Sequence, residues 1–191
     1  HAKTGNHMVF FPSYKMMEDV FKVFRDRYGD QMENADFTLL IQTAGMTEGE
    51  REAFLASFDS APEKSLVGFC VMGGIFSEGI DLRSDRLIGV VIVGTGLPMV
   101  SDENELLKNY YDGIEGVGFE NAYLYPGINK VLQAGGRVIR TEEDVGAVLL
   151  LDERFLINQY RSLFPREWEN AEVVRISDVA DKLSAFWEEH P

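Results

Sequence analysis

The side chains best suited to chemistry in this sequence are gathered in Gln133-Ala-Gly-Gly-Arg137-Val-Ile-Arg140. From about Ile128 the pattern is helical. At 3.6 residues per turn Ile128, Val131, Leu132, Val138 and Ile139 share one side, and Gln133, Arg137 and Arg140 share the other. Two guanidinium groups and an amide would then point the same way. A guanidinium is always charged and offers a planar fork of donors, so a pair held on a packed element suits a multiply charged oxyanion. A solvated helix face is the plain alternative. Gly135-Gly136 argues for something more, because each glycine costs a helix interior about 1 kcal/mol against alanine; a close approach or a helix end is expected there.

A second stretch with polar groups on a glycine-rich loop is Gly73-Gly-Ile-Phe-Ser77-Glu78-Gly79-Ile-Asp81-Leu82. It follows directly on the apolar run Ser65 to Met72, where the carboxyl end of a strand in an open α/β sheet binds ligands. Asp81 can meet a sugar hydroxyl or cap a turn. Ser13, just after Pro12, can cap the helix it precedes or meet a phosphate at the helix amides. Cys70 lies within an almost wholly apolar strand pattern and reads as core, not as a nucleophile. His1, His7 and His190 sit near the termini without ligand spacing.

The elements that must position these groups alternate along the chain. His7 to Phe11 reads as a strand, and Ser13 opens a helix with Met16, Met17, Val20, Phe21 and Phe24 inward, closed by Gly29-Asp30. Phe37 to Gln42 is a second strand. Thr47-Glu-Gly-Glu50 is a capping-box pattern opening a helix that packs through Phe54, Leu55 and Phe58. Ser65 to Met72 and Leu87 to Val93 are the third and fourth strands. Gly94-Thr-Gly-Leu-Pro98 is a loop and lacks the pattern of a dinucleotide fingerprint. A helix from Ser101 places Leu106, Leu107, Tyr110 and Tyr111 inward, and Gly113 to Gly118 interrupts the pattern before the opening motif. Val145 to Leu151 is a fifth strand. Val173 to Ile176 fits an edge strand, and a last helix turns Val179, Leu183 and Phe186 inward. This alternation predicts one α/β domain over residues 1–191, a layered sandwich around a mainly parallel sheet.

Composition sets the limits. With 191 residues, 45% hydrophobic and 12% aromatic, the chain can bury a sizeable core. Its apolar runs fall far short of the roughly 20 residues of a membrane span, and no membrane partner is expected. The single cysteine excludes an internal disulfide and any cysteine-held metal site within the chain, which suggests a reducing, cytoplasmic setting. The chain begins at His1 without a signal peptide and is expected to be a piece of a longer protein. Net charge is -14, from 32 acidic and 18 basic residues, so any nucleic-acid contact must be local.

Taken together, the motifs resemble the second motor domain of superfamily 2 helicases, within the DinG/XPD-like group. Val9-Phe-Phe-Pro-Ser-Tyr14 resembles motif IV, Gly73 to Leu82 resembles motif V, and Gln133 to Arg140 resembles motif VI. Asp144-Val-Gly and Leu149-Leu-Leu-Asp-Glu-Arg154 resemble the strand that follows. The resemblance implies a RecA-like three-layer sandwich and ATP-driven translocation on single-stranded DNA. It implies that Arg137 and Arg140 are arginine fingers reaching ATP on the partner motor domain, and that Gln133 contacts the nucleotide near the γ-phosphate. Asp81, with Gly79 and Glu78, is implied at the nucleotide ribose, and Ser13 and Ser77 at the DNA backbone. No Gly-x-x-x-x-Gly-Lys-Ser/Thr loop and no Asp-Glu-Ala-His box occurs in the chain. ATP and Mg2+ are therefore expected to be held mainly by the first motor domain of the same protein, with no metal site here and no hydrolysis by this piece alone. The rival expectation is a RecA-like module without motor activity that serves as an interaction or DNA-docking domain.

Overall fold

The structure, a computed structural model, describes residues 2–32, 36–76, 86–139 and 144–190. Five apolar runs form the strands β1 (Asn6–Phe11), β2 (Phe37–Ile41), β3 (Ser65–Val71), β4 (Gly89–Val93) and β5 (Ala147–Leu151). They pair in parallel, in the order β2-β3-β1-β4-β5. Parallel neighbours need crossovers over the sheet faces. Helix α1 (Tyr14–Met32) joins β1 to β2, α2 (Glu48–Ala56) joins β2 to β3, and α3 (Asp102–Ile114) and α4 (Tyr125–Gly135) join β4 to β5, while the short α5 (Asn158–Arg161) and α6 (Val179–Glu189) follow β5.

Side chains alternate across the sheet, so each face has its own core. Met8 and Phe10 of β1, Leu66 and Cys70 of β3, and Val90 and Ile92 of β4 meet Phe54 and Phe58 from the α2 region and Ile128, Val131 and Ala134 of α4. On the opposite face Phe11, Phe69 and Val71 meet Met17 and Phe21 of α1. Helices therefore cover both faces, giving three layers with a fully parallel sheet. Cys70 is wholly buried, and burial pushes its thiol pKa up, as a core residue requires.

Local signals set several boundaries. Thr47 and Glu50 close the capping box, with Thr47 N donating to Glu50 Oε2 at 2.7 Å and Glu50 N donating to Thr47 Oγ1 at 3.4 Å. Ser101 Oγ accepts from Asn104 N at 3.2 Å and starts α3. Other expectations fail. Helix α1 does not close at Gly29-Asp30 but continues to Met32, and Met16 and Val20 are 43% and 39% exposed, because Met17, Phe21 and Phe24 already fill the space over β3. Val173 to Ile176 forms no strand: β2 and β5 are the sheet edges among the described residues, and Val173 and Ile176 stand in solvent.

Between α1 and α6 the sheet leaves an apolar cavity of about 400 Å³, lined by Val9, Val67, Val91 and Leu149 and closed by Leu183 and Trp187. His7 of β1 lines it, and desolvation holds the imidazole pKa below its ordinary 6.5. The folded chain thus binds fewer protons at His7 than the unfolded chain. Its contribution to stability is full above the ordinary value and is lost as pH falls below it toward the depressed folded value. Urea midpoints measured at about pH 7.5 and about pH 5.5 should fall with acidification, and His7→Gln should fall less. Equal slopes for the two proteins would exclude a buried neutral His7.

Candidate functional site

The first turn of helix α4 packs against the loop after β4. The backbones of Gly96 and Gly127 nearly touch: a Cβ on Gly96 would lie 2.8 Å from Gly127 O. This close approach explains the Gly94-Thr-Gly loop without a ligand. Pro126 lies in the first turn of α4, directly after the π-helical turn Glu120–Leu124. Ile128, Val131 and Ala134 face the sheet. The helix stops at Gly135, not at Arg140. Gly136 N donates to Leu132 O at 2.9 Å, and Arg137 N and Val138 N make tight i→i−3 bonds at 3.3 Å. Gly135 serves a close approach, since a Cβ there would enter the Trp168 ring, and Gly136 serves the helix end.

This ending changes the site. Gln133 is exposed on α4, whereas Arg137 follows the helix in a turn and is half-buried, with its Nε inside. Gln133 and Arg137 therefore do not share a helical face. Ile139, expected on the apolar side, is 45% exposed for the same reason. Arg140 lies outside the described residues. Val138 packs at Gly146 beside Ile88, which puts the turn at the amino-terminal edge of β4 and β5.

The opposite, carboxyl-terminal edge of the sheet carries Ser13. Ser13 Oγ accepts from Met16 N at 3.2 Å and so caps α1. Ser77, Glu78, Gly79 and Asp81 lie outside the described residues. The stem of Lys130 runs between the two loops at this edge, its Cδ and Cε 3.2 Å from where a side chain on Gly73 would begin and its Cβ 3.5 Å from the same point on Gly96. Arg154 is held by Asp152 through Nε to Oδ1 at 2.9 Å and Nη2 to Oδ2 at 2.7 Å, and the guanidinium keeps the Asp152 carboxyl below its ordinary pKa. Ser13 and Lys130 are thus at one end of the sheet and Arg137 at the other.

Spacing does not reveal Gln42, Lys130 or Trp168. Gln42, 1% exposed, ends the β2 run: its Oε1 accepts from Val71 N at 2.9 Å and its Nε2 donates to Tyr14 OH at 2.7 Å. It ties the start of α1 to the end of β3, beside Gly74 of the loop that follows. A polar residue closing an apolar strand was the available signal. Gln42→Leu withdraws the acceptor from Val71 N–H and should cost about 1–3 kcal/mol. A denaturant midpoint unchanged from the parent protein would show that the bridge is not structural.

With this architecture in hand, comparison with known proteins defines the class. The chain belongs to the helicase C-terminal domain family, which matches residues 1–171. It is similar to the regulator of telomere elongation helicase 1 of Bos taurus, 33% identical over 170 residues, covering 83% of this chain and 14% of that protein. It is also similar to the ATP-dependent DNA helicase YoaA of Escherichia coli (strain K12), 29% identical over 184 residues, covering 91% of this chain and 26% of that protein. Over 89 residues it is 36% identical to the ATP-dependent DNA helicase DinG of Photobacterium profundum, covering 46% of this chain and 13% of that protein. A solved XPD helicase structure superposes with a TM-score of 0.61 at 24% identity, over 83% of this chain and 26% of that one. The fold is therefore RecA-like, and the chain is a helicase C-terminal domain similar to those of DinG-like helicases. It spans only a small part of these relatives.

Proposed function

We propose that this chain is the second motor domain of an ATP-dependent DNA helicase, supplying arginine fingers to a nucleotide site completed by the first motor domain of the same protein and forming part of a single-stranded DNA track. What supports this reading is the match of the helicase C-terminal domain family to residues 1–171, with candidate groups standing at two edges of one sheet. Arg137 stands at the amino-terminal edge, while the Ser13 helix start and Lys130 stand at the carboxyl-terminal edge.

The groups on the Arg137 side fit a nucleotide. The exposed Gln133 amide and the guanidinium groups of Arg137 and Arg140 offer several N–H donors suited to phosphate oxygens. Mg-ATP, when bound, supplies the phosphoryl group to be transferred. Arg137 and Arg140 would stabilise the charge that develops on it, and Gln133 would orient it. Mg2+ is assigned mainly to the first motor domain because this chain carries no Gly-x-x-x-x-Gly-Lys-Ser/Thr loop and no Asp-Glu-Ala-His box. Asp81, Gly79 and Glu78 are assigned to the nucleotide ribose on the resemblance of their loop to motif V. On the DNA side, α1 amides, the Ser13 hydroxyl, Ser77 and the Lys130 ammonium are assigned to phosphates of a single strand. Because the two ends belong to one body, closing the domains on ATP would move the strand contacts as a unit.

The experiment compares the full-length protein with the 191-residue chain. ATP hydrolysis by the full-length protein is expected to rise on adding a single-stranded oligonucleotide, and the chain alone should show none. Turnover by the purified chain that co-purifies with it through successive columns overturns the two-domain reading. A full-length protein that binds DNA without hydrolysing ATP supports the non-catalytic docking module instead.

A further inference from the structure

Helix α3 is turned inside out. The groups facing the domain are polar: Asn104, Glu105 and Lys108 are partly buried, with Tyr111 beside them. Tyr123 OH donates to Glu105 Oε1 at 2.6 Å. Asn104 Nδ2 donates to Met99 O at 2.9 Å, Lys108 pairs with Asp112 at 2.7 Å, and Asp112 Oδ1 accepts from Gly118 N at 2.9 Å. The outward side is apolar. Leu106 is 73% exposed, Tyr110 62% and Ile114 58%, with Leu107 at 41%; none of the helix's residues is buried. Met99 and Val100, just before the helix, are exposed as well. The inward packing expected for Leu106, Leu107 and Tyr110 is thus reversed. The hydrogen bond from Tyr123 to Glu105 ties this helix to the π-helical turn that follows it, the others being within the helix or to its flanking residues, and a run of exposed apolar side chains along one helix face marks a contact site.

Charge identifies what the face can accept. Glu103 falls on the outward side in the series Glu103, Leu106, Tyr110, Ile114, at spacings of three, four and four. Asp102 is beside it and Glu115 closes the other end, all three exposed. Among the described residues no ion pair involves Asp102, Glu103 or Glu115. A second copy of the chain would bring these carboxylates against their like, and the phosphates of a nucleic acid would meet the same repulsion. An apolar stripe with cations at its ends meets neither penalty.

We propose that the outward face of α3, centred on Leu106, Tyr110 and Ile114, is a docking surface for an amphipathic helix of a partner protein whose apolar side is flanked by lysine or arginine. The partner's apolar residues lie along Leu106, Leu107, Tyr110 and Ile114, and its cations meet Asp102 and Glu103 at one end and Glu115 at the other. This surface is independent of the motor reading, because it uses none of the groups assigned to nucleotide or DNA.

The test uses the full-length protein and a fluorescein-labelled helical peptide with leucines along one side and lysines flanking them, followed by fluorescence anisotropy. Saturable binding is expected, weakened about tenfold or more by Leu106→Ser with Ile114→Ser, and several-fold by Asp102→Asn with Glu103→Gln. The same peptide with glutamates in place of lysines should not bind. All four substitutions are on exposed positions, and a thermal midpoint close to that of the parent confirms that each variant is folded. Peptide binding indifferent to both variant pairs overturns the proposal. So does loss of oligonucleotide binding in the Leu106→Ser, Ile114→Ser protein, which would assign the face to nucleic acid. Protection of an Ile114→Cys thiol from maleimide in the unliganded full-length protein also overturns it, since the face would then be covered by another part of the same polypeptide.

Discussion

In the full-length protein, Arg137→Ala and Arg140→Ala are each expected to lower DNA-stimulated ATP hydrolysis by at least about two orders of magnitude, within the range of about 10³ to 10⁵ attributed to arginine fingers or just below it. Nucleotide binding should change much less. The asymmetry follows from where charge develops: a guanidinium delivered from the second domain meets the phosphoryl group most closely as the domains shut, so its loss raises the barrier more than it weakens ground-state binding. Arg137 also has a place inside its own domain, being half-buried there. Arg137→Lys separates the two roles. It keeps the charge and the aliphatic stem but lacks the planar fork, and should remain well below the parent in turnover while keeping its thermal midpoint. Near-normal DNA-stimulated turnover in either alanine variant would remove that arginine from the site.

Phe10→Ala should cost about 3–5 kcal/mol of folding stability, whereas Leu106→Ala should stay within about 0.5 kcal/mol of the parent. Phe10 is completely buried on the central strand β1, among residues from α2 and α4, and its removal leaves a cavity that the sheet backbone cannot collapse to fill. Leu106 is a large aliphatic residue in an equally regular helical pattern, yet it loses no packing on truncation because it makes little. Urea unfolding of the two variants in parallel measures the contrast. Comparable losses would mean that α3 packs its apolar side against the domain after all.

The contrast between these residues marks how far the sequence reaches. The strands were legible because an apolar run of about the right length between turn signals is a local property, and all five occur where the runs are. The caps at Ser13 and Thr47 were legible for the same reason, since a cap bonds an amide three residues away. Membership in the helicase C-terminal domain family was legible in the order of the Val9 to Tyr14, Gly73 to Leu82 and Gln133 to Arg140 stretches. Periodicity says that a helix has an apolar side, but what that side meets depends on the rest of the fold. Only the tertiary structure turns Leu106, Tyr110 and Ile114 outward, by hydrogen-bonding Glu105 and Asp112 to the π-helical turn at Glu120–Leu124 and to Gly118. The run Val173 to Ile176 has strand chemistry without a strand, because a strand exists only where a neighbour offers a ladder. In α4 the residues allow a helix to continue past Gly135, and Trp168, distant in sequence, occupies the space where a side chain on Gly135 would stand. The order of motifs along the chain likewise leaves open which of them share an edge of the sheet. Parallel crossovers decide that: α4 starts at the carboxyl-terminal edge beside Gly96, runs antiparallel to β4 and β5, and so leaves Lys130 near the Ser13 end and carries Arg137 to the other.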